Sequence, residues 1–201
     1  MCSVCIANFN GEHLLDDCLQ SVFSQVGGLA VEVIVHDDAS TDGSLLLMKE
    51  KYPQVRVIAS GENVGFCTAN NRMAAAARGD YILLLNNDAA LDIDALRTLL
   101  TGAAQVGGDA ILTLPQRDWE TGEEVDRGCL LDLFHNSVPN KDSQRADVAY
   151  VVGACLWIPR ALWHELGGFP EWFGSLAEDA FLCCGARLRG VPVRCLAGSG
   201  Y

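Results

Sequence analysis

Two periodicities alternate along the first 115 residues. An apolar run over residues 4–9 has the length of a strand and gives way to polar Asn10-Gly11-Glu12. Leu14, Leu15, Cys18, Leu19, Val22 and Phe23 then recur at helical spacing, so a helix follows. Val31-Glu32-Val33-Ile34-Val35 predicts the next strand. It ends in Asp37-Asp38-Ala39-Ser40-Thr41-Asp42-Gly43, a turn in which Asp42 and Ser40 read as caps of a helix running to about Lys51. Val55-Arg56-Val57-Ile58 predicts a third strand, and residues 69–78 a helix closed by Gly79. Tyr81-Ile82-Leu83-Leu84-Leu85 is apolar without a break, as in a central parallel strand buried on both faces. A helix over residues 91–104 and a strand over 109–114 complete the series.

This order predicts an α/β fold: a doubly wound, mostly parallel sheet flanked by helices, in a single domain. Sheets of this kind bind ligands at the carboxyl ends of their strands. The polar clusters Asn8/Asn10, Asp37/Asp38 and Asn86-Asn87-Asp88 fall at those ends and point to one site. Residues 116–148 are polar and weakly periodic and contain Pro139, so they read as an excursion over the active face. Apolar structure returns at Val151-Val152-Gly153-Ala154. A helix over 159–166, the turn Gly167-Gly168-Phe169-Pro170, a helix over 178–188 and a strand-like run over 191–196 follow.

Composition narrows the function. Half of the 201 residues are apolar, ample for a core. Fourteen Lys and Arg against 26 Asp and Glu leave a net charge of −12, which argues against a nucleic-acid partner. A phosphate ligand held through a divalent metal remains compatible with so many carboxylates. No apolar stretch approaches the roughly 20 residues that span a bilayer. The opening residues carry no basic region of a secretory signal, so the nine cysteines read as reduced thiols and a cytoplasmic setting is expected. Cys2 and Cys5 would point to opposite faces of a strand, which makes them core residues and not a metal pair. Cys183 and Cys184 read as small apolar filler in a helix.

Candidate chemistry sits at the strand ends. Asn86-Asn87-Asp88 places hard oxygen ligands where the sheet opens, and one carboxylate with phosphate and water completes a Mg²⁺ or Mn²⁺ shell. A carboxylate of Asp37-Asp38 could accept hydrogen bonds from a base or ribose. Gly65, after Asn63-Val64, would permit close backbone approach, and Asn70 could reach a ligand. Glu178-Asp179 opens a helix after an aromatic stretch and could supply a general base for a hydroxyl.

These segments resemble, in order, the motifs of family 2 inverting glycosyltransferases of the GT-A fold. Val4-Cys5-Ile6-Ala7-Asn8-Phe9-Asn10-Gly11 resembles the first strand and its "YNG" turn. The segment from Val33 to Ser44 resembles "VDNASTDGS". Glu62-Asn63-Val64-Gly65-Phe66 with Ala69-Asn70-Asn71 resembles "ENxGFAGGNN" of the rhamnosyltransferase-like branch. Leu83-Leu84-Leu85-Asn86-Asn87-Asp88 resembles that branch's D-x-D metal motif. Gly167-Gly168-Phe169-Pro170-Glu171-Trp172-Phe173 followed by Glu178-Asp179 resembles "GGFDExFF…ED". The resemblance implies that Asp88 binds a divalent metal, Mn²⁺ or Mg²⁺, bridging the donor diphosphate. Asn86 and Asn87 would lie near the ribose or the metal's water. Asp37 would hold the base, with Ala7 and Asn10 beside it and Asn63 and Asn70 near the donor. Asp179 would deprotonate the acceptor hydroxyl. Residues 1–115 would form the nucleotide-sugar-binding half and 116–201 the acceptor-side half. The donor would be a UDP- or dTDP-sugar, and the acceptor a glycan or lipid-linked hydroxyl in cell-envelope polysaccharide synthesis, with peripheral membrane association left open.

The sequence departs from the family pattern at Phe181 and Gly185, where an Asp and an Arg are usual, while Arg187 matches. Neither His135 nor His164 occupies the place of the family's metal-binding His after the last strand; His164 reads as a helix-surface residue. The chain reaches Tyr201 just short of that place, so C-terminal truncation is expected. Two competing readings follow: a truncated, non-catalytic nucleotide-sugar-binding module, and a sugar-phosphate nucleotidyltransferase. The second lacks the early Gly-rich loop it would need. No Q-x-x-R-W is present, which disfavours a processive synthase.

Overall fold

Alternate side chains of the central strands supply two separate cores. In the computed structural model, which describes residues 1–25, 28–134 and 136–201, β1 (Cys2–Asn8) turns Cys2, Val4 and Ile6 to one face and Cys5 to the other. Cys2 and Cys5 are thus core residues of opposite faces. Three helices cover the first face: α1 (Glu12–Phe23), α2 (Ser44–Lys51) and α4 (Ala95–Val106). The second is covered by α3 (Phe66–Ala76), α5 (Arg160–Leu166) and α6 (Glu178–Leu188).

The remaining strands of the main sheet are β2 (Val31–Asp37), β3 (Arg56–Ala59), β4 (Tyr81–Asn86), β5 (Ile111–Thr113), β10 (Cys155–Pro159) and β11 (Val193–Cys195). Their order is β11-β5-β10-β4-β1-β2-β3. All pairings are parallel except those of β10, which runs antiparallel between β4 and β5. The mostly parallel, doubly wound sheet expected from the sequence is therefore present. The β10 strand is an addition: apolar 151–154 forms a loop, and the strand starts one residue later. Trp157 of β10 is fully buried and stacks on Tyr81 with ring centroids 4.8 Å apart.

Residues 116–148 hold two small hairpins, β6 (Gln116–Arg117) with β7 (Glu124–Asp126) and β8 (Cys129–Leu131) with β9 (Ser137–Pro139). His135 lies outside the described residues, and His164 is exposed on α5 as expected. Among the described residues no helix is long and apolar enough to cross a membrane.

Local chemistry moves several element boundaries. Gly65 adopts φ 84°, ψ 165°, a conformation open essentially to glycine alone, so α3 starts at Phe66 and not at residue 69. The same helix stops at Ala76, because Ala77 is extended and Glu32 captures the Arg78 N–H and guanidinium. Gly79 therefore does not close it. Gly79 instead lets the chain pass β1: its N–H donates to Ser3 Oγ at 2.8 Å, and an added Cβ would lie 2.7 Å from the Ser3 nitrogen. Residues 91–94 form a turn, and α4 begins at Ala95. Neither Asp42 nor Ser40 is the N-cap of α2, which is Gly43; Asp42, just before it, accepts from the Ser44 N–H at 3.0 Å, while Ser40 turns to the β1 loop.

Gly79→Ala is expected to destabilise the fold by about 2 kcal/mol, since the clash is with backbone that cannot move aside. Thermal denaturation should show a fall of roughly 4–8 °C; an unchanged melting point would contradict the close approach.

Candidate active site

Asn8, the last residue of β1, ties three strand ends together. Its Nδ2 donates to Asp37 Oδ2 at the end of β2 (3.1 Å) and to Ser40 Oγ (3.3 Å). Its Oδ1 accepts from Asn87 Nδ2 just beyond β4 (2.9 Å). An added Cβ on Gly11 would collide with both the Asn8 and the Asn87 amides, which is the reason this turn needs glycine. Asp37 is buried and takes a second hydrogen bond from the Ser40 N–H at 3.0 Å. Asn10, exposed with φ 51°, accepts from the Thr41 N–H at 2.8 Å. The loops after β1 and β2 are thereby cross-linked. They also share caps: the Glu12 N–H donates to Asp42, and the Gly43 N–H donates to Glu12.

Asp38 fixes a third loop. Its two carboxylate oxygens accept from the Val64 N–H (2.8 Å) and the Gly65 N–H (2.9 Å). The neighbouring His36 is fully buried and neither ring nitrogen is hydrogen-bonded. Burial holds its pKa down against the pull of Asp38 and Asp37.

On the other side of β4 a cavity of about 310 Å³ opens, lined by Phe66, Asn86, Gly153, Ser175, Glu178 and Asp179 among others. The Asn86 N–H donates to the Ala154 carbonyl at 3.0 Å, which draws residues 151–154 against the strand end. Asp179 accepts from the Gly153 N–H at 3.1 Å and from the Ala180 N–H at 2.6 Å. Burial raises its pKa, and those two hydrogen bonds hold the rise back. Glu178 is 5% exposed, and its Oε2 has no partner. Burial first, then the charge of Asp179, raises its pKa. Burial and the charges of Glu178, Glu171 and Asp179 push the nearby Cys67 thiol up to about 11. This is an electronegative cavity with a half-buried carboxyl positioned to take a proton.

Asp88 lines a different cavity, of about 240 Å³, with Leu14, Asp17, Cys18 and Trp119. It is exposed, and its charge, after burial, helps lift the Cys18 thiol to about 12. The described residues hold no cluster of three His, Cys, Asp or Glu around it. One free carboxylate fits a divalent ion that keeps its waters and gains phosphate oxygens from a substrate.

The candidate residues thus divide. Asp37, Asn10 and Asn87 belong to the network around Asn8, and Ala7 precedes it on β1. Asn86 and Asp179 share one cavity, while Asp88 faces the other across the turn after β4. Asn63 is exposed on the loop latched by Asp38. Asn70 is buried and donates to the Phe66 carbonyl of its own helix at 3.0 Å, so it does not look into the Asp179 cavity. The sequence does not distinguish Asn8 as a hub, Asp38 as a latch or Glu178 as a carboxyl with an unpartnered oxygen, although all three fall in the polar clusters it marks.

The model of the family described as "Glycosyl transferase family 2" matches residues 3–167. A poly(ribitol-phosphate) beta-glucosyltransferase of Bacillus spizizenii is 30% identical over 99% of this chain. An N-acetylglucosaminyl-diphospho-decaprenol L-rhamnosyltransferase of Mycobacterium tuberculosis is 26% identical over 76%. The chain spans 31% and 59% of the lengths of these two relatives. Among solved structures, S. aureus TarS 1-349 in complex with UDP superposes with a TM-score of 0.77 at 20% identity, covering all of this chain and 60% of that one. The mannosyltransferase PcManGT of Pyrobaculum calidifontis, in complex with GDP-Man and Mn²⁺, gives 0.73 at 21% identity over 96% of this chain and 56% of its own. These two likenesses establish a shared fold.

The raised pKa of Asp179 has a consequence for stability. Its protonated form contributes stability that is fully present below about pH 3.9, the unfolded value, and is lost as pH rises through the raised folded value. Asp179→Asn keeps an acceptor for the Gly153 N–H and removes the charge. Melting curves should show the variant more stable than the parent at pH 7, with the gain disappearing at pH 3; a gain independent of pH would refute the assignment.

Proposed function

The chain belongs to glycosyl transferase family 2, and we propose that it moves a sugar from a nucleoside-diphosphate donor to an acceptor hydroxyl with inversion at the anomeric carbon. The observation that carries this reading is Asp179: a half-buried carboxyl beside Asn86, at the carboxyl edge of the sheet, oriented by the Gly153 N–H. Its raised pKa suits a base that must accept a proton from a hydroxyl. The acceptor oxygen then attacks the anomeric carbon opposite the diphosphate, and the proton passes to Asp179.

The two cavities support an extended donor. Its base and ribose lie toward Asp37, held by the Asn8 network and by the loop bearing Asn63. Its diphosphate crosses the turn at Asn87 and Asp88, and its sugar reaches Asn86. Ala7 and Asn10 flank the base, and Asn70 acts indirectly, by holding the start of α3. A divalent ion, Mn²⁺ or Mg²⁺, held by Asp88 would offset the charge that develops on the leaving diphosphate. On this reading residues 1–115 hold the donor and residues 116–201 face the acceptor. The donor is a UDP- or dTDP-sugar and the acceptor a glycan or lipid-linked hydroxyl of an envelope polysaccharide. All nine cysteines are free and eight are buried, which supports a reducing, cytoplasmic setting.

Thermal-shift titration with UDP, dTDP and GDP should raise the melting point, more so with Mn²⁺ present. Asp88→Ala should lose the metal-dependent part. Asp179→Asn should keep nucleotide binding while transfer falls by about 10²–10⁴-fold. Absence of a shift with every nucleotide, or full transfer by Asp179→Asn, would overturn the proposal.

A further inference from the structure

The β8–β9 hairpin ends in an apolar tip. Leu133 is 95% exposed and Phe134 83%, more than any other leucine or phenylalanine among the described residues. Leu131, the last residue of β8, adds a third exposed apolar side chain. Contiguous apolar groups held out in water mark a surface that meets another phase or another molecule.

The turn that carries the tip pairs its own polar groups. Asp132 Oδ1 accepts from the Phe134 and Asn136 N–H groups, both at 2.8 Å, and Oδ2 accepts from Asn136 Nδ2 at 2.9 Å. The Asp132 N–H donates to the Asn136 carbonyl at 3.1 Å. Backbone groups that leave water must find partners within the protein. These groups have them before any partner surface arrives.

Positive charge lies beside the strand that bears the tip. Leu130 and Leu131 form one wall of a cavity of about 380 Å³, and Arg145 and Arg187 line it as well. Each guanidinium is anchored by one N–H: Arg145 Nε donates to the Asp147 carbonyl at 3.3 Å, and Arg187 Nη1 to the Val148 carbonyl at 2.5 Å. Asp147 is the one acid of this lining among the described residues, and Arg194 holds its carboxylate at 2.8 Å. The charge of the whole chain is lopsided in the same sense. Residues 127–201 carry seven Lys and Arg against seven Asp and Glu, so the net −12 belongs entirely to residues 1–126. An anionic surface therefore repels the first part of the chain and meets no net repulsion from the second.

We infer that the β8–β9 hairpin docks this protein on an anionic bilayer, with Leu133 and Phe134 entering the headgroup layer and Arg145 and Arg187 meeting lipid phosphates. The apolar tip supplies the preference for a bilayer over a free phosphate. The guanidiniums supply the preference for anionic over zwitterionic lipid. This docking is separate from the transfer reading and does not depend on it. It also has a geometric consequence for that reading. Tyr150 donates to Ser137 Oγ of β9. Burial pushes the Tyr150 hydroxyl up to about 12, and the charge of Asp179 adds to the rise. The docking hairpin and the Asp179 cavity are thus neighbours.

Co-sedimentation with vesicles of phosphatidylcholine and phosphatidylglycerol in equal parts, against vesicles of phosphatidylcholine alone, tests this. The parent chain should bind the mixed vesicles about tenfold more tightly than the neutral ones, and added NaCl should narrow the difference. Replacing the tip by Leu133→Ser with Phe134→Ser should weaken binding to the mixed vesicles about tenfold. Arg145→Glu should bring the mixed vesicles down to the level of the neutral ones. Leu46→Ser, at an exposed apolar position of α2, should change nothing. All these positions are exposed, so the melting point should stay at the parent value in every variant. Phe134→Trp should give tryptophan emission that shifts to the blue when mixed vesicles are added. Inorganic phosphate should displace the parent chain no better than NaCl of equal ionic strength. Parent protein that ignores mixed vesicles, equal binding by the tip variant, or an unmoved Phe134→Trp emission would each overturn the inference. Displacement by phosphate beyond the salt effect would overturn it too, leaving a simple anion site. So would a dimer in sedimentation velocity that the tip variant dissociates, which would assign the tip to a second copy.

Discussion

One amide holds the carboxyl ends of β1, β2 and β4 in register. Asn8 stands at the end of the central strand, with an acceptor and a donor pointing to opposite neighbours. It satisfies Asp37 through one and Asn87 through the other. No single-function side chain of that size bridges both. A leucine there would leave Asp37 Oδ2 and Asn87 Nδ2 without the partner that Asn8 supplies, at about 1–3 kcal/mol each. The surrounding backbone bends to serve this bridge: Gly11 leaves room for the two amides, and Asn10 and Ala39 take positive φ values of 51° and 64°. Strain of that kind persists where neighbouring contacts over-determine it, and here the cross-caps between α1 and α2 do so.

The cavity at Asp179 is organised by the opposite principle. Where the Asn8 network is saturated, the Asp179 cavity is unbalanced, with two neighbouring carboxyls, one of which has an oxygen, Glu178 Oε2, without a partner. Removing carboxylates from water disfavours their charge, and among the described residues no Lys or Arg lines the cavity to compensate. The fold carries this cost through apolar packing beneath the site. Phe66 stacks on Phe169, and Trp163 meets Phe169 edge-on, so the three rings form one connected cluster.

Legibility in the sequence followed the physical origin of each feature. Strands buried on both faces, such as Tyr81–Asn86, were plain because a short, unbroken apolar run between turn residues suits a sheet interior and little else. Helix α6, Glu178–Leu188, was placed to the residue, since its amphipathic period starts at a pair of acids. Strand β10 was missed because five residues including Pro159 show no period, and its antiparallel place depends on where a long excursion returns. The start of α3 depended on Gly65 adopting a glycine-only conformation, which composition suggests but cannot locate. Among the site residues, those that end apolar strands could be found by position alone. Asp38 could not, because its role lies in the backbone N–H groups of Val64 and Gly65, more than twenty residues away. Glu178 was hidden for a related reason: acids in a first helical turn are commonplace, and only the packed structure shows that this one is buried with one oxygen unpartnered.

The antiparallel β10 also governs how the chain can be made. During synthesis β1, β2 and β4 emerge early and can pair with one another, but β5 does not touch β4 and has no partner until Cys155–Pro159 arrives. Until then the apolar edge of β4, Leu83-Leu84-Leu85, stays open on the nascent chain, a template for mispairing with a neighbour. The long polar excursion is therefore a delay as well as a loop. Its hairpins must leave the ribosome before the sheet can close, so the sheet stays open for as long as the excursion takes to be made.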